Sequence, residues 1–218
     1  MQSSEAFQAV CERISAKYTS NGWKYAKSRH WLTKKDKNLT YKIYFYTNWN
    51  NVSDRNVGFY GESAIILNKS KNKIFHINTH ECNIPEGKLY WNIADQESWS
   101  RAIAEFTGWL DEVFMPIVHE CTNNLENFIR QVVAEGFYPL GGYKIDIHFI
   151  LLYGSRELAE EATKRWYESL EEPIKHEFKT NYESMIQGND PVSAYGRNMM
   201  RNYSNFRTII ENKIIVNL

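Results

Sequence analysis

The 218-residue chain predicts an α+β fold: an antiparallel β-meander packed against an N-terminal helix and following helices, with a mostly helical C-terminal region. Three observations carry this. Residues 4 to 18 place apolar side chains at helical spacing, residues 23 to 78 change to short β-rich segments parted by polar turns, and helical periodicity returns after Asp95. With 43% hydrophobic and 15% aromatic residues, there is enough apolar surface to bury a full core.

The first helix carries Phe7, Val10, Cys11, Ile14 and Tyr18 on one face, with Ser3 or Ser4 as cap. It stops at Asn21-Gly22, a pair that tolerates positive φ. Strands follow in "WKYAKSRHWLTK", "LTYKIYFYTNW", "VGFYGESAIILN" and "KIFHINT", joined through "KKDKN", "NNVSDRN" and "NKSKN" as hairpins of a four- or five-stranded sheet. Asp95 with Ser98 caps a helix whose stripe is Trp99, Ile103, Phe106, Leu110, Val113 and Phe114. Pro116 should break or kink it. Thr122 caps the next helix, with Leu125, Phe128, Ile129, Val132 and Val133 inward and Gly136 at its end. "GFYPLGGYK" reads as a linker, dividing an α+β domain at 1–136 from a helical region at 137–218 packed on it. "IDIHFILLYG" fits both helical and strand periods and is read as helix. Ser155 caps a long charged helix redirected near Pro173, and a final helix runs from about Pro191 to Lys213.

Net charge is zero but uneven. Residues 17 to 73 hold twelve Lys/Arg against three acids, net +9, and residues 74 to 136 hold three against ten, net −7. Such blocks either steer an anionic partner, or are paired inside the fold or merely solvated, and the internal or solvated outcome is the expected one. No apolar run reaches the ~20 residues that cross a bilayer, and the start does not resemble a signal peptide. The expected setting is the cytoplasm, without membrane partners. Cys11, Cys82 and Cys121 are odd in number and form no C-x-x-C pair, which argues for reduced, buried thiols.

The first helix, "NGWKYAKSRHWLTK", "YFYTNWNN", "ESAIILN" and "LYWNIADQESW" leading to "VFMPIVHEC" together resemble a bacterial family of small α+β cytoplasmic proteins known only as a domain of unknown function, over about residues 5–135. The resemblance implies the meander-plus-helices layout and a bacterial setting. It implies no reaction and no catalytic residues. Proteins of this general kind include immunity or defence-associated binders, an analogy of fold and setting alone.

Catalytic chemistries find little support. In "HINTHEC", His76, His80, Glu81 and Cys82 are weak metal candidates. The zincin order places Glu after the first His, not the second, and on a strand four residues span ~13 Å, too far for both imidazoles to share one ion. "FILLYGSRE" resembles the Gly-Ser turn of nucleotidyltransferases but lacks their downstream Asp-x-Asp, so a helix cap is the better account. No nucleotide cradle or nucleophile elbow occurs. His119 and Cys121 are spaced onto different helix faces.

The densest signal is "YKIYFYTNWN". As a strand it turns Tyr41, Ile43, Phe45, Thr47 and Trp49 one way and Lys42, Tyr44, Tyr46 and Asn48 the other. The second set is more aromatic than a solvated face needs. Phenols offer contact area and a hydroxyl at low entropic cost. The expectation is therefore non-catalytic binding, with no cofactor, of a protein partner through Tyr44, Tyr46, Lys42, Lys24 and Lys27. The alternatives are RNA or single-stranded DNA on the same residues, and a metal-dependent hydrolase or nuclease using His76, His80 and Glu81. Arg29, Lys34, Lys35 and Lys37 extend the basic patch, and Arg197 and Arg201 form a lesser basic pair.

Overall fold

The computed structural model describes residues 2–79, 90–138, 141–189 and 204–217. They fall into two compact units, Met1–Thr122 and Asn123–Leu218. The division precedes Gly136, because the apolar face of the intervening helix packs into the second unit. His80, Glu81, Cys82, Arg197 and Arg201 lie outside the described residues.

The first unit opens with α1 (Ser3–Thr19), which buries Phe7, Val10, Cys11, Ile14 and Tyr18. Gln2, rather than Ser3 or Ser4, precedes the helix, and its N–H donates to the Glu5 carboxylate at 3.1 Å. Gly22 turns the chain at φ +83°. "WKYAKSRHWLTK" is not one strand but two, β1 (Lys24–Ala26) and β2 (Trp31–Lys35), joined by a 3₁₀ turn at Lys27–Arg29 and by His30 at φ 51°. β3 (Leu39–Thr47), β4 (Gly58–Leu67) and β5 (Lys73–Asn78) complete an antiparallel meander in the order β1-β2-β3-β4-β5. A sixth strand, β6 (Trp91–Asn92), pairs with the start of β4. In the β2–β3 hairpin the Asp36 carboxylate accepts the N–H groups of Asn38 and Leu39, both at 2.7 Å, and the Tyr41 hydroxyl at 2.6 Å.

Alternation along β3 decides which side of the sheet is core. Leu39, Tyr41, Ile43 and Phe45 are buried, while Lys42, Tyr44 and Tyr46 are half-buried on the reverse face. Trp49 does not continue the inward set. β3 ends at Thr47, Asn48 N–H bonds Gly58 O, and Trp49 sits beyond the ladder, 90% exposed. The buried face is covered by α1 and by α2 (Gln96–Trp109), capped by the Asp95 carboxylate on Ser98 N–H at 2.9 Å. Trp99, Ala102 and Phe106 are its buried residues nearest the apolar core, whereas Ile103 is only half-buried.

Pro116 neither breaks nor ends this helix. A π-helical turn at Leu110–Phe114 precedes α3 (Met115–Asn123), with Met115 N–H reaching back to Leu110 O. The wider turn relaxes the crowding that a proline ring imposes on the preceding turn. Thr122 is not a cap either: its hydroxyl donates to Val118 O at 2.6 Å, and Asn124 occupies the N-cap of the next helix.

The second unit begins with α4 (Leu125–Glu135), which buries Phe128, Ile129, Val132 and Val133 and ends at Gly136, φ +81°. "GFYPLGGYK" is a small hairpin rather than a linker: β7 (Phe137–Tyr138) pairs with β8 (Gly141–Lys144). The stretch after it, "IDIHFILLYG", is helix as read: β8 ends at Lys144, and α5 (Ile147–Tyr153) begins where the Asp146 carboxylate accepts Phe149 N–H at 2.9 Å. α6 (Arg156–Glu168) is capped by Ser155, and α7 (Glu172–Ile186) carries Pro173 in its first turn. α8 (Ser204–Glu211) closes the unit with Phe206, Ile209 and Ile210 buried. The chain then returns past Tyr182, whose hydroxyl bonds Ile214 O at 3.0 Å and accepts Val216 N–H at 2.6 Å.

Candidate functional site

Strand register builds the open face of the sheet. Trp31 lies opposite Tyr44, Tyr44 opposite Glu62, and Tyr46 opposite Tyr60. A second row runs through Lys24, Thr33, Lys42, Ala64 and His76. The rings form a continuous series: Trp31 meets Tyr44 edge to face at 5.6 Å, Tyr44 stacks on Tyr46 at 6.2 Å, and Tyr46 stacks on Tyr60 at 5.3 Å. Each pair adds about 0.5–1.5 kcal/mol beyond area burial. Ammonium groups lie against the rings. Lys42 Nζ is 3.9 Å from the Trp31 centroid and 5.4 Å from that of Tyr44, and Lys73 Nζ is 5.7 Å from Tyr44. The Arg29 guanidinium is 5.2 Å from Trp31.

Glu62 organises the other half. Its carboxylate accepts from Lys73 at 2.8 Å, from the Tyr46 hydroxyl at 3.2 Å, and approaches His76 Nε2 at 2.7 Å. Burial alone would raise the Glu62 carboxyl, but hydrogen bonds from Lys73 and His76 outweigh it and hold it below its ordinary 4.5. Burial, then the charge of Glu62, push the Tyr46 phenol up. Burial raises Tyr44 as well, and its hydroxyl has no hydrogen-bond partner among the described residues.

The depressed Glu62 value has a testable sign. Because the folded state holds the proton less tightly than the unfolded chain, Glu62 contributes stability above pH 4.5 that is lost as pH falls through its folded value. Denaturant unfolding between about pH 6 and about pH 3 should show a loss of stability that Glu62→Gln reduces. An identical pH profile in both proteins would remove this contribution.

Of the residues singled out by sequence, the structure brings Lys24, Lys42, Tyr44 and Tyr46 onto one face. It does not bring Lys27, whose ammonium pairs with Glu12 of α1 at 2.7 Å on the helix-covered side. Trp31 and Arg29 join the face, as do Tyr60, Glu62 and Lys73, which sequence reasoning missed. The signal for Tyr60 and Glu62 was present: Phe59 and Gly61 point to the core, so their neighbours in "FYGES" must point away.

The other candidate chemistries find no assembled site. His76 is engaged with Glu62 in β5, and no group of three or more His, Cys, Asp or Glu side chains suited to a metal ion occurs among the described residues. Ser155 is a helix cap preceded by the short helix α5, not by the strand a phosphate-binding Gly-Ser turn follows. Burial pushes the thiols of Cys11 and Cys121 well above their ordinary value, so neither is an activated nucleophile. Among the described residues no helix is long and apolar enough to cross a membrane. Comparison with family models, with curated proteins and with solved structures finds no match to this chain.

Proposed function

We propose that the protein is a non-catalytic binding protein of the bacterial cytoplasm that takes up a protein partner on the open face of its sheet. The observation that carries this is the half-buried row Trp31, Tyr44, Tyr46 and Tyr60 across three strands, backed by a complete core on the other side. Such a row is rigid before it meets anything, so little side-chain freedom is lost on docking. Tyr44 still has a hydroxyl to offer. Aromatic side chains of this kind supply most of the energy of protein interfaces.

The same residues suit single-stranded nucleic acid less well. A base needs an open ring face to stack on, whereas Tyr46 is stacked against both Tyr44 and Tyr60, and Lys42 lies over Trp31. Lys27 is held by Glu12, and the Glu62 carboxylate beside Tyr46 would repel phosphate.

Immobilised protein should retain one protein in stoichiometric amount from lysate, free of nucleic acid. Tyr44→Ala/Tyr46→Ala should weaken that retention by ~30-fold or more, as loss of an interface hot spot does. Retention of nucleic acid instead, falling steeply with salt, would overturn the reading. So would capture that is indifferent to the double substitution.

A further inference from the structure

Cations off the open face are partly paired within the chain: Lys17 meets Asp111 at 2.6 Å and Lys27 meets Glu12 at 2.7 Å, while Arg13 lies over Trp99 and Lys34 takes no carboxylate among the described residues. On the open face, Lys24, Arg29, Lys35 and Lys42 take no carboxylate among the described residues. The acid described on that face, Glu62, is already held by Lys73, His76 and Tyr46. The uncompensated charge gathers on β1, β2 and β3. Lys24 shares a row with Lys42, Lys35 lies opposite Thr40 one rung along, and Arg29 reaches Trp31. Burial and the like charges of Arg29, Lys35 and Lys73 all press the Lys42 ammonium toward losing its proton. Pairing with the acidic helices therefore does not extend to these four side chains among the described residues.

We propose that the partner presents an acidic segment here, its carboxylates meeting Lys24, Lys35, Lys42 and Arg29 while its apolar side chains lie along Trp31, Tyr44 and Tyr46. This rests on the reading of the open face as a protein-docking surface. Complementary charge of this kind steers encounter and rejects wrong partners more than it adds affinity. Each exposed pair is worth little alone, but relief of mutual repulsion acts on the whole cluster. An acidic polypeptide also satisfies what a nucleic acid does not: it needs no free ring face, and its sequence can leave an uncharged position opposite Glu62.

The test uses fluorescence anisotropy with three labelled probes: a peptide of about ten residues alternating Glu and Phe, the same peptide with Lys for Glu, and a single-stranded oligothymidylate of equal length. The acidic peptide should bind saturably and more tightly than the other two at the same salt. Lys24→Glu/Lys35→Glu should weaken it by tenfold or more and admit the basic peptide. Both lysines are exposed and take no carboxylate among the described residues, so thermal melting should not fall and loss of binding would not reflect unfolding. No saturable binding of the acidic peptide, tighter binding of the oligonucleotide, or indifference to charge reversal would overturn the proposal. If Tyr44→Ala/Tyr46→Ala abolishes lysate capture while the charge reversal leaves it intact, the face docks a partner that is not acidic. In that case the docking reading survives and this inference fails. If neither variant affects capture, both fail.

Discussion

Phe106→Ala is expected to destabilise the first unit by about 3–5 kcal/mol, the range for truncation of a buried aromatic residue. Phe106 is fully buried, with ring centroids of Phe59 at 5.2 Å, Trp109 at 5.6 Å, Trp91 at 5.7 Å and Phe45 at 6.0 Å around it. It also lies directly on Gly61, where an added Cβ would collide with its ring. Loss of the ring leaves a void walled by other rings, which are too stiff to collapse into it, so the cavity penalty adds to the lost transfer energy. Denaturant unfolding followed by tryptophan fluorescence measures the effect, because six of the seven tryptophans belong to this unit. A cost under ~1 kcal/mol would mean that Phe106 is not the centre of the core. Gly61→Ala in the Phe106→Ala background should be better tolerated than in the parent, since the void receives the new methyl group.

Asn205→Leu should destabilise the second unit by about 2–5 kcal/mol, for a different reason. The buried Asn205 carboxamide accepts Ile147 N–H at 2.9 Å and donates to Ile145 O at 2.6 Å, bridging α8 to the first turn of α5. Leucine fills similar space but strands a donor and an acceptor away from water, each at about 1–3 kcal/mol. Trp166 is the one tryptophan of this unit, and its emission together with amide exchange in α5 reads the change. Asn205→Asp keeps the acceptor, loses the donor and buries a charge, so it should be no better than leucine. Full stability in Asn205→Leu would show that another group satisfies both backbone atoms.

The sequence shows its structure where one local rule acts alone. Alternation placed Tyr44 and Tyr46 opposite Ile43 and Phe45 because strand geometry leaves no other option once the apolar set is inward. The caps at Asp95 and Ser155 were legible for the same reason: one side chain serves one orphan N–H. Readings that depend on where an element stops were less secure. Trp49 shares the parity of Phe45, but the ladder ends two residues before it, and parity has no meaning in a turn. "GFYPLGGYK" has the composition of a linker, yet its glycines also suit a tight hairpin. The candidate site was half visible. Lys42 and its tyrosines belong to one strand, whereas Glu62, Lys73 and Tyr60 join them only through pairing register, which no single segment encodes.

The π-turn at Leu110–Phe114 bears on what changes the first unit can accept. Phe106, Leu110, Phe114 and Val118 recur every four residues, and on a regular helix each such step drifts by ~40°, so the row would spiral away from the sheet. The wide turn takes up that drift and keeps the four in line. Substitutions within it that preserve Leu110 and Phe114 leave the alignment intact. Regular winding of the same residues would swing every side chain after the turn by roughly a third of a circle and carry Val118 off the row, whereas loss of one residue between Leu110 and Phe114 would restore ordinary winding and leave the later side chains where they are. The wide turn thus acts as one extra residue absorbed without moving the helix beyond it.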